Sequence, residues 1–377
     1  MYTSFFTNGE FNIVDSLLAP PFSLSMPKTS SILAIGNPII DVTAEIDKEC
    51  VQNYGLKFGE ISFATPQNEG YFNDIENKSE VIYTPGGCAQ NTLRVASWCL
   101  NKDPHNTEKN YKLTMLGSVG EDIYKNRVIN SLTEYGVKPL IEIISNMKTS
   151  RCAIGIGINN KQKCVLPQIR ASNFLSENFV KQNGQEILSH EALLIEGYFL
   201  KEKFELCKKL CEEFIKLKRL IILTLSDQYM VEFHNDKILE IANVSNIIVG
   251  SFSAGEILAD GKGKNMQETF EKIHKKLSPK NRLLVITGGC QGAFCSLFNY
   301  QKNKLEFLLQ DFPQQIKSSD IIDSNGAGDA FFGGFLSQLM QGKSLLACCR
   351  CGNEIAKVVL KNIGCTFPIN TKLSFNY

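Results

Sequence analysis

Asp323-Ser324-Asn325-Gly326-Ala327-Gly328-Asp329 runs directly into an apolar stretch with helical spacing. A glycine-rich turn that opens a helix lets successive backbone N–H groups converge on an anion, and the helix N-terminus adds a favourable potential. Such a turn can seat a phosphate. Asp329 falls in the first helical turn, where a P-loop would place Lys-Ser or Lys-Thr, and the chain contains no G-x-x-x-x-G-K-[ST]. A carboxylate at that point suits a general base that takes the proton of an attacking hydroxyl while the amides stabilise a transferring phosphoryl group. The same residues also fit an ordinary N-cap turn with an acidic first-turn residue.

Three further segments have the types and spacing to hold a ligand. Gly86-Gly87-Cys88-Ala89-Gln90-Asn91 enters a helix; paired glycines permit close backbone approach, and Asn91 one turn on can pair with a hydroxyl. Taken alone, a Pro-Gly-Gly before a helix is commonly just a turn. Gly36-Asn37-Pro38-Ile39-Ile40-Asp41 leaves a strand through a turn, and its carboxylate can accept from two vicinal hydroxyls, a natural hold on a ribose. Thr287-Gly288-Gly289-Cys290-Gln291-Gly292 follows an apolar strand, either as a nucleotide loop at a carboxyl end or as a hairpin turn.

The elements that must position these segments are legible in the periodicity. Short aliphatic runs at 31–35, 112–116, 192–195, 220–225, 247–249 and 283–287 alternate with amphipathic stretches, which predicts an α/β fold with a mostly parallel central sheet flanked by helices. Residues 89–100 and 330–340 read as helices. In the second, Phe331, Phe332, Phe335, Leu336 and Leu339 share one face for packing on the sheet. Two segments break the rhythm, about 42–65 and 141–166, with alternating, glycine-interrupted runs such as Ala153-Ile154-Gly155-Ile156-Gly157-Ile158. Together they predict a discontinuous small β-lid of half-exposed antiparallel strands inserted in one large domain, 31–377.

Bulk composition narrows the function classes. The chain has 377 residues with an apolar fraction of 43%, enough for a large core. Its 40 basic and 39 acidic residues nearly cancel, so no global field draws it to nucleic acid or an anionic membrane. No apolar run approaches the roughly 20 residues that span a bilayer. Thirteen scattered cysteines read as reduced core thiols; Cys348, Cys349 and Cys351 diverge around a helix with no histidine near, which argues against zinc. The N-x-[ST] matches at Asn77 and Asn243 then read as chance. Residues 1–30 have no basic residue before Lys28 and no continuous apolar stretch, so they read as an N-terminal extension rather than a signal peptide.

The four chemical segments together resemble the ribokinase-like, or PfkB-type, carbohydrate kinases over essentially the whole of 31–368. D-S-N-G-A-G-D is similar to the family's D-T-x-G-A-G-D signature, and Gly86-Gly87 with Asn91 to its G-G-x-x-x-N signature. Gly36 to Asp41, Gly197-Tyr198-Phe199-Leu200, Gly333 to Leu339 and Gly364-Cys365-Thr366-Phe367-Pro368 are similar more narrowly to the members that phosphorylate adenosine. The resemblance implies a cytoplasmic, monomeric ribokinase-like kinase that phosphorylates the adenosine 5′-hydroxyl with ATP and Mg²⁺, with no nucleic-acid or membrane partner. Asp329 would be the base, with the amides of Asn325, Gly326, Ala327 and Gly328 as the anion hole. Asp41, Gly86, Gly87 and Asn91 would hold the ribose, Phe199 would flank the purine with Asn37 nearby, and Phe63 would come from the lid. Lys163 would reach the phosphates, where the family tends to carry arginine, and Thr287, Gly289 and Gly292 would contact ATP.

One position departs from that pattern. The family's N-x-x-E motif, linked to metal and phosphate handling, falls on Ser251-Phe252-Ser253-Ala254, which has neither the amide nor the carboxylate, so metal ligands stay unassigned. Two other readings remain open: a related kinase for another nucleoside or sugar, and a catalytically weak nucleoside-binding homologue.

Overall fold

Aliphatic side chains pointing alternately to either face of short strands build one core on each face of the large sheet, and a third, smaller cluster joins the helices Cys88–Lys102, Ala327–Met340 and Leu345–Leu360. The computed structural model describes residues 31–103, 110–158, 162–261, 263–299, 304–313 and 315–368. The extension at 1–30 lies outside the described residues. Among the described residues thirteen strands form two sheets: β1 (Ser31–Ile35), β2 (Ile39–Ile46), β3 (Val81–Gly86), β4 (Lys112–Gly120), β5 (Lys138–Ile144), β6 (Arg151–Gly157), β7 (Lys163–Gln168), β8 (Ala192–Glu196), β9 (Leu220–Thr224), β10 (Ile247–Ser251), β11 (Arg282–Thr287), β12 (Ala293–Asn299) and β13 (Lys304–Asp311).

The large sheet runs in the order β13-β12-β11-β10-β9-β8-β1-β4-β5. It is parallel from β11 through β5, and β12 and β13 close it as antiparallel strands. Ile32, Ala34, Leu194, Val249 and Val285 face one core, which the helices Cys88–Lys102 and Ala327–Met340 cover with Leu93, Phe331 and Phe335. The alternate residues Leu33, Ile35, Leu193, Ile195 and Leu284 face the other, covered by Leu206, Leu210 and Phe214 from the helix Leu200–Lys216. Burial on both faces is why these strands read as unbroken aliphatic runs. The fold is that of a ribokinase-like α/β protein, with helices on both sides of a mostly parallel sheet.

The second sheet has the order β3-β2-β6-β7 and differs from the sequence expectation in composition. β2 pairs antiparallel with β3 but parallel with β6, so the sheet is mixed. Residues 141–144, expected in the small sheet, instead lie in β5 at the edge of the large one, and Lys48–Asn53 is a helix inside the segment read as strand. Every residue of β6 is buried rather than alternately exposed. Tyr71, Phe72 and Ile75 of the helix Gly70–Glu76 are the reason: they give the glycine-interrupted strand a second packed face. The thirteen cysteines are unpaired, and all but Cys88 and Cys290 are buried.

Candidate active site

The turn between β1 and β2 carries the chain from the large sheet to the small one, and Asn37 and Asp41 stand on either side of that crossing. The helix Cys88–Lys102 begins directly behind it. Gly87 is the hinge of this junction. Its φ of 95° disfavours an L side chain, and a Cβ there would collide with the Asn37 carbonyl oxygen. The close approach registers Asn37 against the start of the helix, and Asn91 lies one turn further on.

The 323–329 segment meets this junction through two hydrogen bonds. The Asn91 side-chain Nδ2 donates to Asp329 Oδ2 at 3.0 Å, and Asn325 Nδ2 donates to Asp41 Oδ2 at 3.0 Å. Asn91 is itself oriented, because its Oδ1 accepts from the buried Arg94 guanidinium at 3.4 Å. That leaves the amide nitrogen for the Asp329 carboxylate. Asp323 braces the turn from within: Oδ1 accepts from the Asn325 amide at 2.6 Å and Oδ2 from the Gly364 amide at 2.8 Å. Gly326, at a φ of 75°, caps the helix Ala327–Met340, whose first N–H groups lack intrahelical acceptors, and the space in front of Gly328 is open. An anion can be received there, with the Asp329 carboxylate beside it.

Burial sets the acid–base character of the group. Asp41 is 4% exposed, and loss of solvent, with the charges of Asp323 and Asp329 adding, raises its carboxyl from 3.8 to about 7 against the pull of Asn325 and Lys163. Loss of solvent also lifts Asp329 above the ordinary range, opposed by the hydrogen bonds from Asn91 and Cys88. Lys163 of β7 reaches across to make an ion pair with Asp323, next to the Ser324 hydroxyl. It therefore ties the small sheet to the anion turn.

Three of the four segments are thus joined by hydrogen bonds, while none among the described residues joins the fourth to them. Thr287 to Gly292 joins β11 to β12 as a tight hairpin, with the Gly288 amide donating to the Gly292 carbonyl at 2.7 Å and the Thr287 hydroxyl to the Gly250 carbonyl at 3.4 Å. β10, β9 and β8 separate β11 from β1. Phe199, expected to flank a purine, presents no open ring face. It is 1% exposed and belongs, from its 3₁₀ turn, to the same core as Leu33, Ile35 and Leu225. Phe63 is the accessible aromatic: it is 41% exposed, its ring lies 5.0 Å from that of Tyr229, and the Lys201 ammonium stands 5.1 Å from its centre. Its segment is tied to β7 by the Ser62 amide, which donates to the Val165 carbonyl at 2.9 Å.

Sequence reasoning missed Tyr229 and Glu196. Glu196 ends β8 and is 1% exposed, and its carboxylate accepts from the Ala89 amide at 3.0 Å and from Asn37. Burial, with the Asp329 charge adding, raises its carboxyl from 4.5 to about 7. An acid immediately after the aliphatic run at 192–195 was the available signal.

The donor set does not provide a protein cage for a divalent cation. The Ser251 hydroxyl is occupied in capping the helix Phe252–Leu258, accepting from the Ala254 amide at 3.3 Å and pairing with Ser253. Among the described residues no group of three or more His, Cys, Asp or Glu is placed to hold a metal. No helix among them is long and apolar enough to cross a membrane.

A carboxylate in the first turn of a helix, beside an open glycine, is suited to phosphoryl transfer to an alcohol. The match to the pfkB family carbohydrate kinases covers residues 53–372, and the chain belongs to that family. It is 27% identical over 346 residues to adenosine kinase 1 of Arabidopsis thaliana, covering 89% of this chain and 96% of the relative. To the adenosine kinase of Saccharomyces cerevisiae it is 23% identical, covering 92% and 99%. Its fold is similar to that of Anopheles gambiae adenosine kinase solved in complex with P1,P4-di(adenosine-5) tetraphosphate, with a TM-score of 0.78, 23% identity and coverage of 91% and 98%. It is also similar to Schistosoma mansoni adenosine kinase in complex with 2-fluoroadenosine, with a TM-score of 0.77, 21% identity and coverage of 89% and 97%.

Proposed function

We propose that this chain phosphorylates the 5′-hydroxyl of adenosine with Mg-ATP, giving AMP and ADP. The observation that supports the reading is the pair of hydrogen bonds that ties Asp41, suited to a ribose diol, to Asn325 of the anion turn and Asp329 of that turn to Asn91. Asp329 takes the hydroxyl proton, the freed oxygen attacks the γ-phosphorus, and the bond from that phosphorus to the ADP oxygen breaks. The amides of Gly326 and Gly328, with that of Ala327 held only loosely by the Ser324 carbonyl at 3.4 Å, hold the charge of the transferring group, while the Asn325 amide expected to join them is taken by the Asp323 carboxylate. Phe63 and Tyr229, whose rings meet at 46°, supply the aromatic contact for the purine that the buried Phe199 does not. Thr287, Gly289 and Gly292 serve the ATP side, and the protein acts as a cytoplasmic monomer. Turnover of adenosine with Mg-ATP, measured beside inosine, ribose and fructose, tests the reading. A preference for a free sugar would replace the substrate, and binding without turnover would make the chain a nucleoside-binding homologue.

The small sheet, in this reading, closes over the bound ribose and excludes water, as transfer to a hydroxyl rather than to solvent requires. Phe63 and Lys163 both reach from it to the large body, at Tyr229 and Asp323. Adenosine is expected to slow amide exchange in residues 39–65 and 151–168, measured by mass spectrometry. Unchanged exchange in both segments would leave the closing lid without support.

Because the 251–254 turn offers only neutral oxygens, Mg²⁺ enters as part of Mg-ATP and is held by phosphates and water. Raising free Mg²⁺ at fixed Mg-ATP is therefore expected to change the rate little, with or without Glu256→Gln. Strong dependence on free metal, abolished by Glu256→Gln, would hand that role to Glu256.

A further inference from the structure

Glu196 is a buried acid at the carboxyl end of a central strand, and three N–H donors converge on it. Oε2 accepts from the Ala89 amide at 3.0 Å and from the Asn37 amide at 3.4 Å, while Oε1 accepts from Asn37 Nδ2 at 3.4 Å. Among the described residues no lysine or arginine forms an ion pair with it. Its charge is answered instead by the N-terminus of the helix Cys88–Lys102, whose cap, Gly87, has no side chain to offer. One carboxylate thereby joins the β1–β2 turn to the helix that carries Asn91.

The consequence for Asn37 is chemical as well as structural. Above a pH of about 7, where Glu196 is ionised, its carboxylate only accepts and so fixes which end of the neighbouring amide faces it. The Asn37 nitrogen is drawn to Glu196, and Oδ1 is left buried and without a partner. An unsatisfied buried acceptor is destabilising, and a donor brought by a ligand relieves it.

We propose that Glu196 is a positioning residue that turns the Asn37 nitrogen inward and leaves its oxygen as the acceptor for a hydroxyl or amine donor of the bound nucleoside. The inference rests on the adenosine reading above. Glu196→Gln tests it, because the new amide must keep its oxygen for the Ala89 N–H and so presents nitrogen to Asn37. Asn37 then reverses and shows the ligand a donor instead of an acceptor.

Four proteins are compared: the unmodified chain, Glu196→Gln, Asn37→Ala and the double variant. Each is assayed for KM and kcat, with Kd by calorimetry and thermal unfolding alongside. Glu196→Gln is expected to raise KM for adenosine about tenfold and to change kcat by much less. In the Asn37→Ala background the same substitution is expected to add nothing, since the residue through which it acts is gone. If Glu196→Gln does not fold, Glu196→Asp, too short to reach Asn37, is read by the same cycle. An unchanged KM, or penalties that multiply in the double variant, overturns the positioning role. Failure of the unmodified chain to bind or use adenosine overturns the substrate reading instead, and the cycle is then read with the substrate it does use.

Discussion

Asp329→Asn is expected to lower kcat by a factor of about 10² or more while adenosine binding stays within a few-fold. Asparagine is close to isosteric with aspartate and can keep an oxygen for Asn91 Nδ2, which lies 3.0 Å from the carboxylate in the native site. It has no basic lone pair to take a proton from the attacking hydroxyl. The backbone amides of the turn are untouched, so the phosphate seat survives, and what disappears is the proton transfer that accompanies attack. Loss of solvent lifts the Asp329 carboxyl toward the pH at which a base is both ionised and a useful proton acceptor. Single-turnover rates with saturating adenosine and Mg-ATP, beside Kd from calorimetry, separate the two quantities. Near-normal turnover in a folded variant would remove Asp329 from the role of base.

Asp41→Ala is expected to have the second largest effect, on recognition rather than chemistry. A hydrogen bond from a ribose hydroxyl to a charged group contributes about 1.5–3 kcal/mol, so losing the pair raises KM by at least tenfold. In the unmodified enzyme 2′-deoxyadenosine should be the poorer substrate by one such bond, and Asp41→Ala should erase the difference. Equal use of the two nucleosides by the unmodified enzyme would count against the assignment. The pH dependence has a definite sign. Asp41 titrates at about 7 in the folded chain, so the accepting carboxylate forms as pH rises through neutrality, and KM for adenosine should fall from pH 6 to pH 8. Stability runs the other way. The folded chain keeps a proton that the unfolded chain releases near 3.8, so Asp41's contribution is fully present below that value and is lost as pH rises toward 7. Asp41→Asn should flatten that part of the decline in thermal unfolding.

The parallel sheet was legible because its strands are buried on both faces, so that 31–35, 192–195 and 283–287 show as aliphatic runs that no other arrangement explains as well. The anion turn was legible for a local reason: glycines, a following helix and Asp329 all lie within seven residues. The small sheet was harder. β6 looks half-exposed in its glycine-interrupted alternation, and only the packing of Tyr71 and Phe72 from a helix some eighty residues earlier fills its second face.

What the sequence determined by itself were the groups whose chemistry depends on neighbours in the chain: a glycine-rich turn with a carboxylate at the start of its helix, a strand-to-strand turn followed by Asp41, and paired glycines ahead of Asn91. Which of them meet was decided only by the tertiary structure. Asn91 and Asp329 are 238 positions apart and Asn325 and Asp41 are 284 apart, and no periodicity encodes a hydrogen bond across such a distance. The same holds for Phe199 and Glu196. An aromatic beside a glycine and an acid at a strand end look alike in sequence whether they face a ligand or the interior. The packing of β8 against β1 puts the Phe199 ring in the core and the Glu196 carboxylate under Asn37. Direction in space comes from the strands on either side, and those strands are distant in the chain.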